Sequence, residues 1–189
     1  MKKIALTVLI SVSSASAMAE GNFYVGADIA KSNYDAITNF KAKNKGMGFA
    51  VQGGYEARTS EYFALGAEVE YLKQSGVEYS ANMGSISAKS DINVSSVNFN
   101  LKPKLYLGNL YLATPVGGAY VMVDGKVEAS AKIMGQTIKV SQKPFSDGFG
   151  LTYGAEIGYD IMEQFTVKAG AKKVIAESTT FYAGVGYKF

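Results

Sequence analysis

The chain has no cysteine, no histidine and no tryptophan, and only three prolines among its 189 residues. Without cysteine, no disulfide can staple an exported fold and no lipid anchor can be carried on a thiol. Without histidine, the usual general base of hydrolytic enzymes is missing. After the first twenty residues no stretch is apolar for long enough to cross a bilayer as a helix. The basic excess is small, +3 overall, which leaves no electrostatic footprint for nucleic acid. Glycine, tyrosine and phenylalanine, in contrast, are abundant, with 21, 13 and 10 copies.

The opening "MKKIALTVLISVSSASAMAE" has a positive start at Lys2 and Lys3, an apolar run from Ile4 to Val12 and small residues leading to Ala17-Met18-Ala19. This is the pattern of a secretory signal peptide over residues 1–19, with a second possible cut after Ala17. Residues 20–189 then form one domain, with no linker or second composition regime. Removing Lys2 and Lys3 with the leader takes the formal charge from +3 to +1.

The mature chain reads as eight segments in which apolar residues occupy every second position, the period of a strand with one greasy face. Asn22 to Ala30, Gly46 to Ala57, Tyr62 to Leu72 and Ser96 to Leu107 make up the first half. Leu110 to Val123, Phe149 to Tyr159, Phe165 to Lys172 and Thr180 to Phe189 make up the second. The faces opposite the apolar ones carry glycines and charges, among them Asp28, Glu56, Glu68, Glu70, Lys102, Lys104, Glu156, Lys168, Lys172 and Lys188.

A soluble sandwich also alternates. Two features favour a membrane barrel instead. The connections alternate long and short: Lys31 to Lys45, Arg58 to Ser60, Lys73 to Ser95, Gly108-Asn109, Asp124 to Gly148, Asp160 to Gln164 and Lys173 to Ser178. Short periplasmic turns with longer external loops are the habit of outer-membrane barrels. Aromatics also gather beside the short turns and chain ends (Phe23, Tyr55, Phe63, Tyr159, Phe165, Tyr187, Phe189), with a second set toward the long loops. Two aromatic girdles around an aliphatic band suit a bilayer. The expected fold is therefore all-β, a transmembrane up-and-down antiparallel barrel of eight strands with long extracellular loops. The Gly108-Asn109 turn sets the register Leu107 with Leu110, Leu105 with Leu112, Leu101 with Val116, Val97 with Tyr120, and Phe99 over Gly118. A five-residue turn from Asp160 to Gln164 sets Glu156 across from Lys168.

The signal peptide, the eight segments and the ending "GVGYKF" resemble the small eight-stranded outer-membrane barrels of Gram-negative bacteria, the OmpA/OmpX-like or opacity-like porin-family proteins. The resemblance implies residence in the cell outer membrane, among outer-membrane lipids and lipopolysaccharide. It also implies that Phe181, Val185, Tyr187 and Phe189 form the terminal-strand signal read by the barrel assembly machinery during insertion. "YLATPVGGAY" departs from the glycine-rich fifth strand of many relatives.

No catalytic constellation survives inspection: the barrel enzymes of this class are known for sites that include histidine, and no serine sits in a nucleophile setting. The chain reads as a non-enzyme, and no cofactor or metal site is expected. The inward charges Glu56, Glu68, Glu70, Lys102, Lys104, Glu156, Lys168 and Lys172 read as an ion-paired plug filling the lumen, with a gated, low-conductance pore as the alternative. Lys41, Lys43 and Lys45 make the first loop basic, suited either to solvent or to the phosphates of lipopolysaccharide. "KVEASAKIMGQTIKVSQK" reads as a hairpin rising beyond the membrane, able to pair an edge with a partner such as a host-surface protein. The expected role is structural and in surface interaction.

Overall fold

The computed structural model describes residues 21–34, 46–83, 86–133, 136–142, 145–162, 164–175 and 178–189. All its elements are strands: β1 (Gly21–Tyr34), β2 (Met47–Arg58), β3 (Phe63–Met83), β4 (Ile86–Leu107), β5 (Leu110–Ala113), β6 (Val116–Ile133), β7 (Gln136–Gln142), β8 (Phe145–Ile161), β9 (Phe165–Ile175) and β10 (Ser178–Lys188). Each of β1 to β4 pairs with the next strand in the chain, as do β8 with β9 and β9 with β10. β5 and β6 keep one register against β4 and one against β8, so they are a single barrel strand interrupted at Pro115. Proline has no N–H to give the ladder. Thr114 still donates to the Pro103 carbonyl (3.1 Å) and Gly154 to that of Pro115 (2.9 Å).

The ring closes where β1 meets β10, from Tyr24 opposite Lys188 to Tyr34 opposite Ser178. Closure leaves no open edge in the barrel wall, as hydrocarbon requires of a spanning sheet. The Phe189 N–H reaches the Phe23 carbonyl at 2.8 Å and extends the closure to the last residue. Gly108 takes a positive φ (67°), a conformation open to glycine and suited to the first position of a tight II′ turn. The register set by this turn matches the expected one, including Phe99 opposite Gly118.

The molecule is built inside out. Outward side chains such as Ile29, Leu101, Leu107, Leu151 and Val185 are exposed, whereas Glu56, Glu70, Asn98 and Lys102 are buried in the lumen. Period 2 places alternate residues on the two faces, and the greasy face needs lipid.

Two expected features are corrected. Lys73 to Ser95 and Asp124 to Gly148 are not simple loops. β3 and β4 stay paired out to Met83 and Ile86, and β4 stays paired with β6 as far as Ile86 opposite Ala131. β7 then pairs with β6 from Val127–Gln142 to Ile133–Gln136, giving the expected hairpin. Strand pairing continues past the apolar band because each new strand finds a ready edge beside it. The second correction concerns β8 and β9. β8 runs on to Ile161 opposite Phe165, and Met162 makes the turn at positive φ (52°). Glu156 therefore lies across from Gly170, and Lys168 across from Gly158.

Candidate functional site: the ion-paired lumen and the outer sheet

The inward residues of the strands stack into tiers. Near the short turns, Glu56 on β2 accepts from Lys104 at 2.5 Å and Tyr106 at 2.8 Å, and Lys188 lies 2.5 Å from Asp160 and 3.4 Å from Glu56. Thr166 donates to Asp160 at 2.7 Å. In the middle tier Lys102 bridges Glu68 (2.7 Å) and Glu156 (3.2 Å), while Lys168 joins Asp28 (3.2 Å) to Glu156 (3.6 Å). Above it Lys172 holds the Glu70 carboxylate, which also accepts from Asn98 at 2.6 Å. All eight lumen charges singled out in the sequence thus lie in the interior, each in at least one ion pair. Glu156 and Lys168 meet despite the shifted register, because long side chains reach a diagonal neighbour.

Sequence reasoning missed the tyrosines. Tyr24 donates to Glu68 (3.0 Å), Tyr106 to Glu56 (2.8 Å), and Tyr111 and Tyr182 both to Glu156 (2.9 Å each). Every one of these carboxylates accepts from both an ammonium and a phenol, so its lone pairs are well occupied. Lys104 lies 4.5 Å from the centroid of the Tyr111 ring, and Lys172 lies 4.9 Å from that of Tyr182. The rings fit because glycines lie beneath them: a Cβ on Gly54, Gly158 or Gly170 would come within 2.7 Å of Tyr24, Tyr111 or Tyr182. Parity held the signal, since Tyr106 lies between Leu105 and Leu107, and Tyr111 between Leu110 and Leu112, both pairs facing lipid. Asp160, expected in a turn, is the other missed member.

Toward the long connections the charge gives out. Ser32, Gln74 and Thr180 form a hydroxyl–amide cluster, with Ser32 and Thr180 2.6 Å apart. Beside it Leu72, Val94, Val121 and Val174 line a cavity of only about 10 Å³. A cavity among Lys102, Lys104, Lys168 and Glu156 measures about 20 Å³. These two spaces are on the scale of one or two water molecules.

A model of the outer membrane protein beta-barrel domain matches residues 4–189. The chain belongs to this family. Comparison with curated proteins finds no significant sequence match. Among solved structures, Ail, the attachment invasion locus protein of Yersinia pestis, is similar at 16% identity and TM-score 0.51, over 89% of this chain and 97% of that one. OprG from Pseudomonas aeruginosa is similar at 11% identity and TM-score 0.56, over 89% and 96%. A major outer membrane protein from Thermus thermophilus gives 12% identity and TM-score 0.53, over 90% and 100%. At these identities the likeness is one of fold: a closed eight-stranded outer-membrane barrel, here with one strand, β7, added to the wall's continuation.

Of the terminal residues, Phe181, Val185 and Phe189 are exposed on the outer face. Tyr187 is half-buried between two aromatic neighbours, its ring centroid 5.0 Å from that of Phe165 and 5.3 Å from that of Phe189. Lys41, Lys43 and Lys45 lie outside the described residues, as does the signal-peptide region.

Proposed function

We propose that this protein is a surface-interaction protein of the outer membrane, in which a closed barrel serves as a rigid mount for a β-sheet held beyond the bilayer. The observation that carries the reading is the continuation of β3, β4 and β6 past the apolar band, joined there by β7. Nine residues of β3 beyond Gln74, at about 3.3 Å each, rise on the order of 30 Å. β7 pairs only with β6 among the described residues, so its other edge offers backbone donors and acceptors to an extended segment of a partner. Ail, the attachment invasion locus protein of Yersinia pestis, supports this reading as an analogue of the same fold.

The tight ion-pair tiers argue for a structural lumen over the pore reading. A partner is proposed on the host surface, met by the hairpin, with lipopolysaccharide phosphates met by the first-loop lysines. Replacing residues 127–142 with a short glycine-serine turn, in cells displaying the protein, tests the first part. Adhesion to host cells or matrix should fall to background while barrel yield is kept. Unchanged adhesion would overturn the role of the sheet. Planar-bilayer recording tests the lumen: the parent should be silent, and reproducible channels abolished by Lys168→Met would favour the pore.

A further inference from the structure

Buried polar atoms without a hydrogen-bond partner among the described residues occur at Asp28, Gln52 and Ser96, and they are densest on the wall formed by β4, β6 and β8. Asn98 and Asn100 on β4 and Thr152 on β8 are at most 4% exposed. Yet Asn98 Oδ1, both amide atoms of Asn100 and Thr152 Oγ1 find no hydrogen-bond partner among the described residues. Four polar atoms left bare in so small a region would be costly, since a buried donor or acceptor without a partner bears its full desolvation penalty. The three side chains belong together. Asn100 is opposite Gly117, and Gly117 is opposite Thr152. Gly117 puts no side chain between them, and a Cβ there would collide with the Phe99 carbonyl. Asn98 lies two positions along β4, with Ala119 opposite. With strands about 4.8 Å apart, β4 and β8 are roughly 10 Å from each other across β6. That is too far for Asn100 and Thr152 to bond directly, and Gly117 between them offers no polar side chain to either.

We infer that the seam between Asn98, Asn100 and Thr152, over Gly117 and Ala119, is a binding site for ordered internal water. Water fits better than a cation. Asn100 offers a donor and an acceptor together, which one water can satisfy, and the ammonium groups of Lys102 and Lys172 occupy the neighbouring tiers. The same Asn98 that faces the seam with Oδ1 donates its Nδ2 to Glu70 at 2.6 Å. The seam therefore connects solvent-like hydrogen bonding to the Glu70–Lys172 pair.

The test is a double-mutant cycle of Thr152→Val, Asn100→Leu and both together, read by urea unfolding of refolded protein in lipid vesicles. If water bridges the two residues, each single change should lower the folding equilibrium constant by about twofold to tenfold. The double change should then cost little more than one alone, because both break the same bridge. A dry seam predicts the opposite sign, each substitution raising the constant and the two effects multiplying, and that result would overturn the inference. Magnetisation exchange between water and the Asn100 side-chain amide reads the site without altering Asn100. A cross-peak in the parent that is lost in Thr152→Val is expected, and its absence in the parent would refute the site even if Asn100→Leu fails to fold. Stability that depends on sodium or potassium at constant ionic strength would assign the seam to a cation and also overturn it.

Discussion

Replacing Lys102 with methionine probes the middle tier at its centre. Its ammonium is buried, 2.7 Å from Glu68 and 3.2 Å from Glu156. Glu156 keeps Lys168 at 3.6 Å and the two phenols of Tyr111 and Tyr182. Among the described residues, the hydrogen bond left to Glu68 is that of the Tyr24 phenol at 3.0 Å. The variant therefore strands one carboxylate more than the other. Removing one partner of a buried pair costs about 3–5 kcal/mol, and the remaining phenol places this case toward the lower end, about 3 kcal/mol. A Lys102→Met/Glu68→Gln double variant removes the stranded charge and should recover about 2 kcal/mol of that loss, within the range of couplings seen between touching residues. Equilibrium urea unfolding in vesicles, followed by tyrosine fluorescence and gel mobility, measures both. A Lys102→Met barrel within about 0.5 kcal/mol of the parent would refute the reasoning, because a solvated lysine, not a bridging one, behaves that way.

Gly158→Ala drives a Cβ into the Tyr111 ring, so the ring must leave Glu156; a loss of about 2 kcal/mol is expected, seen as heat-induced gel conversion at a lower temperature than the parent. Phe189→Asp should lower assembled barrel in outer-membrane fractions several-fold, whereas Phe145→Asp, an exposed aromatic at the opposite end of the wall, should not; equal yields would leave the terminal aromatic without a special role in assembly. Lys188→Gln is not a neutral control for that experiment, because Lys188 is buried and paired to Asp160 at 2.5 Å; it should destabilise the folded barrel by about 2–4 kcal/mol in urea while leaving the terminal aromatic face intact.

The faces of the barrel were legible because one rule, apolar outward and polar inward, covers most of the wall, with Leu72, Val121 and Val174, apolar yet buried inside near the long connections, as exceptions. The β4–β5 register followed from two residues, Gly108 and Asn109, that allow one tight geometry. The β8–β9 register does not follow from the sequence, because apolar alternation stops at Tyr159, before the turn itself. In fact Asp160 and Ile161 still pair across the ladder. The outer halves of β3, β4 and β6 escape the alternation pattern for a related reason. Beyond the bilayer neither face must be apolar, so the period-2 signal that marks a membrane strand fades even though backbone pairing continues. Inside the lumen, parity located Glu56, Glu156 and Tyr111, but which acid met which cation depended on side-chain reach and on the bare surfaces of Gly158 and Gly170.

A barrel wall in lipid with a β-sheet held outside the cell can be tested in one measurement, because the chain has no native cysteine. Single cysteines at Thr137 in β7, Leu101 on the lipid-facing wall and Asn109 in a short turn can be challenged with a membrane-impermeant maleimide on intact cells. Thr137→Cys should label at once, Asn109→Cys only after the outer membrane is permeabilised, and Leu101→Cys in neither condition. Labelling of Leu101→Cys on intact cells, or protection of Thr137→Cys, would contradict the placement of the sheet and the barrel together.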